Sequence, residues 1–124
     1  MREIRFRGKR LDSGEWVYGC LKHVYRKDFP PEITSWTDAE GGYYRTDPVN
    51  PNTVGQYTGL RDSEGKEIYE GDLCWDGNCI WRVEYYNGCF FLLGMDLLLM
   101  QNEKVRVVGN IHDNPELLED GGQE

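Results

Sequence analysis

Residues 53 to 75 read TVGQYTGLRDSEGKEIYEGDLCW, and the turn signals in this stretch decide how the chain folds. "TVGQYTGL" has the β-branched and aromatic content of a strand, "RDSEG" is a turn, "KEIYE" is a second strand, and "GDLCW" continues after a bend at Gly71. The reading is a hairpin that opens a β-domain, with Gly65 serving the turn and Ile68 and Tyr57 the core. The glycines at 55, 59, 65 and 71 make no phosphate cradle. A P-loop requires GxxxxGK[ST] between a strand and a helix, whereas Lys66 is followed by Glu67 and a further strand. Glu64, Glu67, Glu70 and Asp72 lack the spaced oxygen donors of a calcium loop, and a glycosidase pair would need a cleft too large for so small a domain. They read as a solvated face and as protection of sheet edges.

Downstream, "DGN" at Asp76 to Asn78 and "NG" at Asn87 and Gly88 are strong hairpin signals, because type I′ turns need positive φ at both central residues. A two-residue loop at Asn87 and Gly88 sets Tyr86 opposite Cys89, Tyr85 opposite Phe90 and Val83 opposite Leu92. That register collects Trp81, Val83, Tyr85, Phe90 and Leu92 on a core face, leaving Arg82, Glu84, Tyr86 and Phe91 on the other. "GMDLLLMQ" suits a short helix or compact turn, and "KVRVVGNI" a last strand. "DNPELLED" has an asparagine cap candidate and Pro115 at the first helical position, which allows one helical turn.

Upstream, "EIRFRG" alternates Ile4 and Phe6 against Arg5 and Arg7, one face apolar and one charged. "LDSGE" is a turn in which Gly14 takes positive φ, and "EWVYGCLKHVY" is a second strand with Trp16, Tyr18 and Cys20 on one face. Lys27 to Asn52 contains all but one of the prolines and reads as a long irregular excursion with room for a small hairpin. The expected fold is mainly β: an N-terminal β-hairpin region with the excursion over 1–52, a C-terminal SH3-like small barrel over 53–115, and a helical turn with a frayed tail over 116–124.

Three blocks carry a family resemblance: "REIRFRGKRLDSGEWVYG" at the start, "VGQYTGLRDSEGKEIYEGD" in the centre and "VVGNIHDNPELL" near the end. Together and in this order they resemble the YopX family of phage and prophage proteins. The resemblance implies a mostly β protein whose C-terminal part is an SH3-like barrel, encoded by a phage or prophage. It implies no established activity and supplies no catalytic residues. Lys27 to Asn52 and Leu73 to Cys79 match no pattern of the family.

Composition narrows the function further. The 124 residues carry a formal net charge of -8. Residues 1–30 hold eight Lys/Arg against four Asp/Glu, and the remainder six against eighteen, so a basic start precedes an acidic body. Phosphate backbones are repelled by such a body, which makes nucleic acid an unlikely partner; that alternative would rest on Arg2, Arg5, Arg7, Lys9 and Arg10. No run of about 18 apolar residues exists to span a bilayer, and the charged N-terminus lacks a signal-peptide pattern. The expected setting is the cytoplasm of a bacterial host, with no membrane partner.

Cys20, Cys74, Cys79 and Cys89 give no zinc signature, since Cys74 and Cys79 only just reach the spacing window and the others are isolated. They read as small buried hydrophobes, and no cofactor or metal is expected. A loop at Asp76 and Gly77 would set Cys74 directly opposite Cys79; a loop at Asp76 to Asn78 would offset them. His23 and His112 stand without a catalytic motif, so no enzyme is expected. Four tryptophans and eight tyrosines exceed what one small core can bury. The expected binding surface is Trp36, Tyr43, Tyr44, Trp75 and Tyr86, and the expected partner a phage or host protein, self-association being the simplest case.

Overall fold

The computed structural model describes residues 4–22, 28–37, 41–86, 89–92, 95–96 and 105–118, with the backbone alone at 86, 89–92 and 95–96. All the strand pairings are antiparallel. The chain divides into two compact units, 1–57 and 58–124.

In the first unit, β1 (Phe6–Lys9) and β2 (Trp16–Lys22) form the expected hairpin, with Phe6 opposite Gly19 and Lys9 opposite Trp16. Its turn uses Gly14 at φ 75°. Residues 27–52 contain β3 (Glu32–Thr37) and β4 (Tyr43–Pro48), a hairpin paired along its whole length that adds to β2. The start of β5 (Gly55–Arg61) pairs with β1, giving the order β4-β3-β2-β1-β5. Ile33 and Val49 are fully buried. A side chain at Gly8 would crowd Val49 at 3.1 Å and Ile33 at 3.2 Å, so the absent Cβ is what lets these two pack on β1.

The two faces of β1 differ from expectation. Ile4 is 72% exposed and Arg7 only 6%. The Arg7 guanidinium lies 4.5 Å from the Trp16 ring, and Lys9 reaches the same ring at 5.4 Å. Trp16, opposite Lys9 and diagonal to Arg7, lets a cation and its methylenes stay out of water, so the charged face of this strand is covered as well as the face that meets Ile33 and Val49.

In the second unit, the rest of β5 and β6 (Glu67–Tyr69) form the hairpin predicted by "RDSEG", with Gly65 at φ 85° and Gly71 at φ 93° after β6. β7 (Asp72–Trp75), β8 (Ile80–Tyr86), β9 (Cys89–Leu92), β10 (Met95–Asp96) and β11 (Arg106–Asn110) form a sheet in the order β10-β9-β8-β7-β11. Ile68, Cys74, Val83, Val105 and Val107 make its core, with Leu60 and Trp81 packed on it. Ile68 and, in the first unit, Tyr57 are buried as expected.

The β8–β9 register agrees residue for residue with the Asn87–Gly88 prediction. Its proposed core face is only partly right: Val83 is buried, but Tyr85 is 49% exposed. Val83 packs in the cluster with Ile68, Cys74, Val105 and Val107, and Tyr85, two residues further along β8, is not part of that cluster. The side chains of Phe90, Phe91 and Leu92 lie outside the described residues.

The β7–β8 loop matches neither spacing considered. Trp75 pairs with Ile80 and the Asp76 N–H donates to the Cys79 carbonyl, leaving Gly77 and Asn78 as the loop and Cys74 offset from Cys79. The Asp76 side chain sets this register by accepting the N–H groups of Asn78 and Cys79 and the indole N–H of Trp81, each at 2.8 Å. Met95 and Asp96 extend as a strand beside β9, where a helix or turn was expected; Leu97 to Gln101 lie outside the described residues. The short helical turn after Pro115 is present, yet the Asn114 side chain accepts from the Asn110 N–H at the end of β11. The fold is mainly β, and among the described residues it does not close into a barrel.

Candidate functional site: the aromatic outer hairpin

β4 is the outermost strand of the first unit's sheet. Its sequence YYRTDP has no alternation of apolar and polar residues, and of its six side chains only Asp47 is buried. Asp47 is held by Arg45 at 3.1 Å and Arg10 at 3.5 Å. A cross-strand bond of 2.8 Å between the Thr34 and Thr46 hydroxyls helps to fix β4 against β3. The edge is thus held by polar contacts, and its aromatic side chains are left for solvent.

Trp36 and Tyr44 stand directly opposite each other and so project from the same face. Their ring centroids are 5.1 Å apart at an interplanar angle of 73°, an edge-to-face pair worth about 1 kcal/mol beyond its buried area. Gly42 lies against the indole, since a Cβ there would fall 2.5 Å from Trp36 Cζ2. Despite this support Trp36 is 56% exposed and Tyr44 74%. Tyr43, opposite Thr37, occupies the other face and is 47% exposed. The hairpin end therefore presents rigid aromatic area on both sides of an edge strand. Large rings fixed by neighbours lose little conformational entropy when covered, the usual condition for a binding anchor.

The YopX protein family model matches residues 5–119. The chain belongs to the YopX family. Its fold is similar to that in the crystal structure of protein EF1440 from Enterococcus faecalis, at a TM-score of 0.64 and 23% identity, covering 95% of this chain and 99% of that one. The search of curated proteins returned no match.

In this YopX protein three of the five expected surface residues belong to the first unit and two to the second. Trp36, Tyr43 and Tyr44 come together on the β3–β4 hairpin. Trp75 belongs to the second unit, partly exposed, with Arg106 5.2 Å from its ring centroid. Tyr86 is a β8 residue paired with Cys89, and its side chain lies outside the described residues. Gly42 was not singled out from the sequence, although two adjacent glycines before two tyrosines were a usable sign of close ring packing.

Of the basic residues of the nucleic-acid alternative, the four that are described are engaged within the first unit. Arg5 lies 4.9 Å from the Tyr57 ring centroid, and Arg7 and Lys9 both lie over the Trp16 ring. Arg10 pairs with Asp12 at 2.8 Å, Asp47 at 3.5 Å and Glu15 at 3.7 Å. Its hydrogen bond to Asp12 lowers the Asp12 pKa and raises that of Arg10. Arg2 lies outside the described residues.

The described cysteines and histidine are spread over both units. Cys74 is fully buried, and burial pushes its thiol pKa far up, with Asp72 and Asp62 adding to the effect, so it stays protonated in the fold. Cys20 is exposed on β2 in the first unit, while His112 belongs to the second. His23 and the Cys89 side chain lie outside the described residues. Among the described residues no three His, Cys, Asp or Glu side chains converge as metal ligands. No helix among them is long and apolar enough to cross a membrane.

Proposed function

We propose that this YopX protein is a non-enzymatic accessory protein of a phage or prophage, working in the host cytoplasm and binding another protein through its β3–β4 hairpin. The observation that carries the reading is the exposure of Trp36 and Tyr44 while they are packed on each other and Trp36 lies on Gly42. Exposed aromatics on an edge strand combine a hydrophobic anchor with backbone groups that can extend a sheet. A second copy of the chain is the simplest partner, and a phage or host protein the other. The SH3-like description of residues 53–115 belongs to the same proposal, supported by a β-hairpin followed by a meander whose last strand, β11, returns beside β7.

The test compares wild type with Trp36→Ala/Tyr44→Ala. Sedimentation over a concentration series reads self-association, and photo-crosslinking from position 43 in host cells reads other partners. The variant is expected to keep its circular dichroism spectrum and lose the association. Identical behaviour of the two proteins, or a monomeric wild type that crosslinks to nothing, would remove the proposal.

A further inference from the structure

β4 ends the first unit's sheet, and its outer edge is open over a short stretch. The Val49 N–H donates to the Pro31 carbonyl at 2.9 Å, continuing the register that sets Pro48 opposite Glu32. Hydrogen-bonded and non-bonded pairs alternate in an antiparallel ladder, so Asp47, Arg45 and Tyr43 exchange bonds with β3, while the backbone groups of Tyr44, Thr46 and Pro48 point away from it. Pro48 is closed: it has no N–H, and its carbonyl accepts the Leu11 N–H at 3.1 Å. Among the described residues the outward groups of Tyr44 and Thr46 meet no further strand. Tyr43 and Arg45 share one face of this stretch, and Tyr44 stands on the other. The chain enters β4 through Gly41 and Gly42 at φ 92° and 90°, so extended backbone begins only at Tyr43.

We propose that this edge pairs with the same edge of a second copy, antiparallel, with Tyr44 opposite Tyr44 across a two-fold axis. The inference rests on the reading of the β3–β4 hairpin as a binding surface and names its occupant. In this register each Tyr44 exchanges N–H···O=C bonds with the other, and Arg45 of each copy stands opposite Tyr43 of the other. Arg45 keeps its Nε on Asp47 at 3.1 Å yet is exposed, as is Tyr43, so a guanidinium meets a ring on each side of the axis. On the opposite face the Tyr44 rings meet, joining the Trp36–Tyr44 pairs of both copies into one aromatic row. The positive φ of Gly41 and Gly42 breaks the extended course of each chain before it reaches Pro48 and Leu11 of the other. The neighbouring registers are poorer: one sets Arg45 against Arg45, and the other sets Tyr44 against the closed Pro48. The edge thus carries a cation and a ring at positions that become each other's partners only when the occupant is another copy of itself.

Sedimentation of the full chain over a concentration series should show a monomer–dimer equilibrium with a midpoint of about 10 to 100 μM, weak because the contact is smaller than a standard interface. Arg45→Glu, which leaves Trp36 and Tyr44 in place, should weaken it about tenfold with an unchanged circular dichroism spectrum. The register is read by cysteine pairing in a Cys20→Ser background, which removes an exposed native thiol. Arg45→Cys mixed with Tyr43→Cys above the midpoint concentration and oxidised with diamide should give a dimer linked from 45 to 43. Neither protein alone should link comparably, since like positions lie two residues out of register and beyond disulfide reach. A wild type that stays monomeric well above that range while position 43 crosslinks to a host protein would overturn this inference and leave the hairpin reading standing. Association that Trp36→Ala/Tyr44→Ala abolishes, but that ignores Arg45→Glu or gives a 45-to-45 link or none, would do the same. A monomeric wild type that crosslinks to nothing removes both.

Discussion

Asp62 shows how much of this fold depends on single carboxylates. One oxygen accepts the N–H groups of Glu64 at 2.9 Å and Lys66 at 2.8 Å, forming the turn between β5 and β6. The other accepts the Val107 N–H at 2.9 Å, tying that turn to β11 across 45 positions of sequence. Burial favours the neutral acid, but the bonds from Val107, Lys66 and Glu64, with the charge of Lys66, outweigh it and leave the pKa below the usual 3.8. Its stabilisation is therefore present above the unfolded value and lost as pH falls through the folded one. An asparagine in its place would have one oxygen where two are used and would turn an N–H donor toward another. Asp62→Asn should lose about 2 to 3 kcal/mol near neutral pH in urea unfolding, and less of its stability should then depend on acid. Equal midpoints for the two proteins would show that the bonds contribute nothing net. Cys74 has the opposite sign: its raised pKa protects the fold below the ordinary thiol value of 9.0 and costs stability above it, where the unfolded chain ionises. Mass spectrometry after brief alkylation of the native protein should find Cys20 modified and Cys74 intact, with Cys74 reacting only on denaturation.

At the scale of elements, glycines separate two kinds of constraint. A Cβ at Gly19 on β2 would lie 2.0 Å from the Thr34 carbonyl oxygen, so β2 and β3 could not keep their spacing. Gly65 meets nothing within 4 Å but sits at φ 85°. Gly65→Ala should cost about 1 to 2 kcal/mol through backbone conformation alone, and Gly19→Ala about 3 kcal/mol through overpacking, as read by urea unfolding. Sequence made the constraint at Gly65 visible and hid the one at Gly19. Gly65 follows Asp-Ser-Glu between two strand patterns, while Gly19 interrupts a strand whose neighbour on the side away from β1 could not be named. The Asn87–Gly88 hairpin was legible down to its register because turn chemistry is local. The β3–β4 hairpin was not, because "EITSWT" and "YYRTDP" pair along an edge where neither face needs to be uniformly apolar. Trp36, Tyr43 and Tyr44 could therefore be chosen by residue type, whereas their meeting on one hairpin depends on the pairing of β3 with β4.

For the whole molecule, the distribution of charge decides between partners more sharply than its sum. Eight basic residues lie within the first thirty, a count that by itself invites a nucleic-acid reading. Of the five named for that role, Arg7 is buried, Arg5, Arg7 and Lys9 lie over aromatic rings, and Arg10 is surrounded by three carboxylates. A phosphate approaching Arg10 would have to displace Asp12, Glu15 or Asp47, and one approaching Arg7 would have to expose Trp16 and the guanidinium together. Affinity for nucleic acid grows with the number of phosphates neutralised and is greatest at low salt. Fluorescence anisotropy with single-stranded and duplex oligonucleotides at about 10 mM salt, where screening is weakest, should therefore show no complex. The same measurement on Asp12→Asn/Glu15→Gln/Asp47→Asn, which frees Arg10 and raises the net charge by three, should show weak association that disappears by about 0.1 M salt. A complex formed by the wild type at low salt would mean that the ring and carboxylate contacts of these cations give way to phosphate, and the acidic, aromatic molecule described above would need a different partner.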